Sequence, residues 1–95
     1  MNKATFRYIQ DPGHGWLEVP RQLLAKLGIE YDVTSYSYVK GQTAYLEENC
    51  DLPLFINAFK AQCADVELDL ASVHVNNTPI RSYQPYPMTR PQVTA

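Results

Sequence analysis

The residues of this chain best suited to chemistry are Cys50 and His14, with a group of acids close to Cys50. A helix is predicted to start just after Cys50, and a helix dipole lowers the pKa of a thiol at its N-terminus. With His14 as general base, such a thiol would be a nucleophile. Glu47, Glu48 and Asp51 oppose this, because nearby carboxylates disfavour a thiolate. No orienting third residue is evident, so we predict no catalytic residues and no enzyme activity.

A metal site is the second kind of chemistry to consider. Two histidines and two cysteines are of the right type for zinc: His14, His74, Cys50 and Cys63. Structural zinc sites usually pair ligands a few residues apart, and this set contains no such pair. Glu47, Glu48 and Asp51 fit three interpretations: charge favoured at a helix N-terminus, docking of a basic partner, or a weak divalent-metal site. We predict no metal and no cofactor.

The helix that positions these acids is predicted over residues 52–62. Its large apolar residues recur at helical spacing and form one stripe: Leu52, Phe55, Ile56 and Phe59. Asp51 stands at the N-cap position, and Pro53 suits the first turn. Cys50 and Cys63 then lie at opposite ends of the helix, about 18–20 Å apart, which is too far for a disulfide.

His14 lies in a predicted hairpin at the start of the chain. Polar and aromatic residues alternate over residues 5–9, which predicts a strand. A second strand is predicted over residues 16–19, and turn residues 11–15 join the two. Pro20 then opens a predicted helix over residues 20–27.

A second hairpin is predicted from strands 34–39 and 43–47, turning around Lys40 and Gly41. Its register places Tyr36 opposite Tyr45, with Tyr38 on the same face. These tyrosines either cover the core or form an exposed surface that meets a partner.

Acidic and apolar residues alternate over 65–70, which predicts a strand that continues over 66–75. A last strand is predicted over residues 80–83. Residues 84–95 contain three prolines and predict an extended tail. We therefore predict an α+β domain over residues 1–83. Its antiparallel sheet would have five or six strands in the order ββαββα-β, with both helices packed on one face.

Composition limits the classes of partner. The 95 residues suffice for one domain and are 45% hydrophobic, and the net charge is −2. The eight Lys and Arg residues are spread along the chain, which argues against direct nucleic-acid binding. No segment has the roughly 20 apolar residues of a membrane span, and the first residues do not resemble a secretory signal. We expect a cytoplasmic protein without membrane contact.

Three segments together carry a family resemblance: HGWLEV at 14–19, SYSY at 35–38 and YLEENCD at 45–51. They resemble a family of small uncharacterised proteins from bacteriophages, plasmids and other mobile elements, over roughly residues 6–60. Relatives often have LEEDCD where this chain has Asn49, and the missing acid weakens the metal interpretation. The family carries no established catalytic residues. The resemblance implies a mobile-element context inside a bacterial host cell.

From these observations we expect a non-catalytic accessory protein that binds a host or defence protein as an inhibitor or modulator, for example in an anti-CRISPR-like role. The predicted partner-binding residues are His14, Trp16, Tyr36, Tyr38, Tyr45, Glu47, Glu48 and Asp51. Two alternatives stay open. One is a small-molecule or nucleotide pocket with possible hydrolase activity, and the other is a structural homodimer paired through a strand edge.

Overall fold

Six strands form a single sheet in the computed structural model, which describes residues 2–87. They are β1 (Asn2–Gln10), β2 (Gly15–Pro20), β3 (Tyr38–Lys40), β4 (Thr43–Glu47), β5 (Val66–His74) and β6 (Gln84–Pro85). The helices are α1 (Arg21–Lys26), α2 (Asp51–Gln62) and a 3-10 helix at Pro79–Ser82. The predicted α+β class with two α-helices is confirmed. Within the described residues, no helix is long and apolar enough to cross a membrane.

The sheet is mixed, which corrects the predicted antiparallel arrangement. Across the sheet the strand order is β5-β1-β2-β4-β3-β6, and every neighbouring pair is antiparallel except β5 and β1. Those two run parallel, from Asn2 opposite Val66 to Gln10 opposite His74. The cause is α2, which returns the chain along the sheet so that β5 runs in the same direction as β4 and β1.

The main core lies between one face of the sheet and both helices. Its buried members include Leu17, Leu24, Leu46, Phe55 and Phe59. Phe6 of β1 meets Phe55 and Phe59 edge-on, with ring centroids 5.5 and 6.3 Å apart. Two residues of the predicted α2 stripe, Phe55 and Phe59, are therefore fully buried, whereas Leu52 and Ile56 are half-buried.

The second hairpin differs from the prediction in length and register. Only Tyr38 and Val39 of the predicted strand 34–39 pair with β4, Lys40 joins them from the predicted turn, and Tyr38 rather than Tyr36 lies opposite Tyr45. The turn consists of Gly41 and Gln42, and Gly41 has a φ of 59°, which favours glycine. Moving the turn by one residue shifts the register by two, so each side chain stays on its predicted face.

The end of the described chain also differs from the prediction. Residues 80–83 do not form a strand, because Pro79 has no N–H to donate to a ladder and fits the first turn of a helix. The tail predicted over residues 84–95 begins inside the fold: β6 pairs with β3, and Tyr86 is buried. Residues 88–95 lie outside the described residues.

A smaller apolar cluster covers the sheet face opposite the helices. Ile9, Trp16, Tyr45 and Ile80 are buried in it. The 3-10 helix contributes Ile80, and Tyr83 packs its ring 5.2 Å from that of Tyr45. This cluster supports the end of the sheet where β1 and β4 finish and β2 begins.

Candidate functional site

A pocket of about 330 Å³ lies at that end of the sheet, a volume typical of small-ligand sites. β2 begins and β4 ends there, with Trp16 paired to Glu47 across the strands. The backbone N–H of Glu48 donates to the Gly15 carbonyl at 3.1 Å and extends this pairing by one step. We call it the strand-end pocket. Its lining residues are His14, Trp16, Tyr36, Tyr38, Glu47, Asn49, Cys50 and Arg81.

Arg81, which the sequence prediction missed, forms one side of the strand-end pocket. Its guanidinium lies 5.0 Å from the centre of the Trp16 ring and donates to both carboxylate oxygens of Asp11. This pairing holds the pKa of Asp11 well below its usual range. Asp11 also accepts from the backbone N–H groups of Gly13 and His14, at 3.0 and 2.9 Å. The hairpin tip is therefore tied to the 3-10 helix.

Asp51 lies inside the protein, which corrects its prediction as a surface residue for a partner. It is 1% exposed and is the first residue of α2, while Cys50 takes the N-cap position. Its carboxylate accepts from the Thr34 backbone N–H at 3.0 Å, from the Thr34 hydroxyl at 2.8 Å and from the Ser37 hydroxyl. Ser37 in turn accepts from the backbone N–H of Glu47 at 2.9 Å. Asp51 thus fixes the turn formed by residues 34–37.

The three predicted tyrosines divide between surface and core. Tyr36, on the turn that Asp51 fixes, is 69% exposed. Tyr38 is half-buried, and Tyr45 is buried in the smaller cluster. Burial and the nearby carboxylate of Glu18 raise the pKa of Tyr45 to about 12. Of the two alternatives for the tyrosine face, Tyr45 follows the core alternative and Tyr36 the surface alternative.

Cys50 is exposed beside the strand-end pocket, but its thiol is poorly activated. Desolvation, together with the hydrogen bond and charge of Glu47 and the charge of Asp51, raises the pKa of the thiol. Because the thiolate is the nucleophile, a raised pKa lowers reactivity at neutral pH. The pocket brings Cys50 and His14 to its lining without activating the thiol.

His14, Glu47 and Glu48 place one potential ligand atom each within 4.8 Å of one another. The set differs from the acidic group considered in the sequence, because Asp51 turns inward and His14 takes its place. The β2–β4 pairing brings His14 to the two acids. A local sequence pattern could not show this, since His14 and Glu47 belong to different hairpins.

Comparison of the chain with protein-family models, with curated proteins and with solved structures found no match. The resemblance to a mobile-element family therefore stays a prediction.

Proposed function

We propose that this chain is a non-catalytic binding protein that contacts a protein partner through a surface we call the Tyr36 patch: His14, Tyr36, Tyr38, Glu47 and Glu48. The exposure of Tyr36 carries the proposal. A tyrosine 69% exposed is a large aromatic contact area, and tyrosine is enriched at interfaces. Its turn is held by a buried carboxylate, so little backbone freedom would be lost on binding.

The charge beside Tyr36 favours a basic partner surface. Glu47 and Glu48 are half-buried at the end of β4 and form no ion pair with Lys or Arg among residues 2–87. The guanidinium of Arg81 is neutralised by Asp11. The Tyr36 patch therefore combines aromatic area with uncompensated negative charge, which steers and orients a basic partner.

The family resemblance supplies the biological part of the proposal. A mobile-element context makes a host or defence protein in the bacterial cytoplasm the proposed partner, with inhibition or modulation as the effect. Nucleic acid and membrane are not proposed as partners.

A homodimer paired through the edge of β5 is not proposed. Self-pairing there would bring Glu67 and Asp69 of two copies close together, and like charges opposite each other destabilise paired strands.

A small-molecule site in the strand-end pocket is the second candidate, because His14, Glu47 and Cys50 converge on a cavity of suitable size. A hydrolase that used Cys50 as nucleophile would need Cys50 for activity. The raised pKa of its thiol argues against that mechanism. Binding of a small molecule without chemistry stays compatible with the cavity.

The test compares variants for capture of a partner from the bacterial host, followed by calorimetry with that purified partner. Tyr36→Ala should raise the Kd about thirtyfold, since an interface anchor contributes about 2 kcal/mol to binding. Glu48→Lys should weaken binding and make the remaining affinity less dependent on salt. The matched control Glu67→Lys reverses an exposed acid on β5 and should change neither.

Cys50→Ala separates partner binding from a hydrolase that uses Cys50 as nucleophile. It should keep full partner binding and biological effect. Loss of effect in Cys50→Ala, with an unchanged circular dichroism spectrum and intact partner binding, would favour the hydrolase. Unchanged affinity of Tyr36→Ala would overturn the proposed surface.

A further inference from the structure

We propose that His14, Glu47 and Glu48 bind a first-row divalent transition metal ion, with Zn²⁺ preferred to Mn²⁺. The proposal goes beyond partner binding and does not depend on it, although the ion would use the same carboxylates, Glu47 and Glu48, that the Tyr36 patch offers to a basic partner. One imidazole nitrogen and two carboxylate oxygens lie within 4.8 Å of one another, and two of the three residues line the strand-end pocket.

The backbone that carries the three residues is fixed by strand pairing. His14 comes directly before β2, Glu47 ends β4, and the Glu48 N–H binds the Gly15 carbonyl at 3.1 Å. Position 15, directly after His14, requires glycine, because a Cβ there would lie 2.3 Å from the Tyr8 hydroxyl. The missing side chain leaves room for the Tyr8 ring, which reaches across to Glu48.

Each carboxylate is oriented through one of its oxygens. Glu47 Oε2 accepts from the backbone N–H groups of Asn49 and Cys50, at 2.9 and 2.8 Å. Glu48 Oε2 accepts from the Tyr8 hydroxyl at 3.0 Å. These hydrogen bonds orient both carboxylates, and one oxygen of each lies within 4.8 Å of the other two potential ligand atoms, as in sites whose ligands are held by outer hydrogen bonds.

The charge balance of the site is a separate argument for a cation. The ion pairs within residues 2–87 are Arg7–Glu18 and Arg81–Asp11, and neither involves Glu47 or Glu48. Two carboxylates gathered without a basic partner repel each other. A divalent ion would balance both charges and bridge them to His14.

The ligand types select the class of metal. Imidazole suits zinc, copper, iron and nickel, whereas sites for Mg²⁺ and Ca²⁺ are built from oxygen ligands. Metal–ligand distances of about 2.0–2.2 Å allow ligand atoms to lie at most roughly 4 Å apart, so the side chains need to close by less than about 1 Å. Three protein ligands leave coordination positions for water or for a group in the strand-end pocket.

Calorimetric titration of the full chain with ZnCl₂ and MnCl₂, in the presence of a non-thiol reductant, tests the proposal. We expect saturable 1:1 binding, with Zn²⁺ tighter than Mn²⁺ and with no displacement of Zn²⁺ by equimolar Mg²⁺ or Ca²⁺. His14→Ala and Glu48→Gln should each weaken Zn²⁺ binding about tenfold or more. Tyr8→Phe removes only the hydroxyl that orients Glu48 and should weaken it about tenfold.

The controls exclude metal binding elsewhere on the surface. Exposed His74 and Glu67 on β5 match His14 and Glu48 in type, so His74→Ala and Glu67→Gln should bind Zn²⁺ like the wild type. Substoichiometric Mn²⁺ should broaden the amide NMR signals of residues 14, 47 and 48 first. The proposal is overturned by absent saturable binding, by unchanged affinity in His14→Ala, or by loss of binding in His74→Ala or Glu67→Gln.

Discussion

Asp11 and Asp51 each join segments that are far apart in the chain, and together they shape the strand-end pocket. Asp11 ties the first hairpin tip to Arg81, and Asp51 ties the start of α2 to Thr34 and Ser37. Local spacing indicates a turn residue for Asp11 and a helix cap for Asp51. It contains no information about these distant donors, because they reach the carboxylates only after the sheet has formed.

The Asp11–Arg81 pair makes the stability of the fold depend on pH in a defined window. Since the pKa of Asp11 is lowered in the folded state, its ionised form stabilises the protein above the ordinary aspartate pKa of about 4. That contribution is lost as the pH falls below about 4 towards the folded pKa. Urea unfolding should show wild type more stable than Asp11→Asn at about pH 6, with a difference that shrinks towards about pH 2.

The control for this prediction is the same substitution in an Arg81→Gln background. Without the guanidinium, the pH dependence caused by Asp11→Asn should largely disappear. A wild-type advantage that is the same at about pH 6 and at about pH 2 would show that the pair does not stabilise the fold through the charge of Asp11.

At the scale of elements, patterns in the sequence predict strands and helices better than their pairing. The apolar stripe predicts α2 because the helical spacing of large apolar residues reflects which side chains are buried, and Phe55 and Phe59 are buried. Alternation in β5 shows which side chains share a face, but it cannot show that the backbone pairs with β1 in parallel. The predicted turn at Lys40 and Gly41 lies one residue before the observed turn, because Gly41 can occupy more than one position of a tight turn.

The turn over residues 34–37 should depend on the buried carboxylate of Asp51. Asp51→Asn keeps the size of the side chain but replaces one acceptor oxygen with an amide group that must face hydrogen-bond donors. We expect a loss of about 2–3 kcal/mol in the free energy of unfolding, measured by urea denaturation. The matched control is Asp65→Asn, at an exposed position before β5, which should change it by less than about 0.5 kcal/mol. Equal stability of the two variants would show that Asp51 does not hold the turn.

At the scale of the whole molecule, residues 84–87 belong to the fold that the structure describes. Their prolines predict an extended tail, and β6 is indeed extended. Tyr86 holds this segment against the rest of the fold, because its backbone N–H donates to the Ser37 carbonyl at 2.8 Å and its hydroxyl donates to the Glu30 carbonyl. Whether an aromatic residue in a proline-rich stretch finds a buried site depends on the surrounding tertiary structure, which no local pattern describes. The position of Arg81 in the pocket is unpredictable for the same reason.

Tyr86 should therefore stabilise the molecule as a core residue does. Tyr86→Ala should lower the free energy of unfolding by about 3–5 kcal/mol, as expected for a buried aromatic. Tyr86→Phe, which loses only the bond to the Glu30 carbonyl, should lower it by about 1 kcal/mol. Tyr36→Ala is the matched control, since the same truncation at a 69% exposed tyrosine should cost less than about 0.5 kcal/mol. If residues 84–87 were part of a mobile tail, Tyr86→Ala would be as neutral as Tyr36→Ala in the same urea titrations.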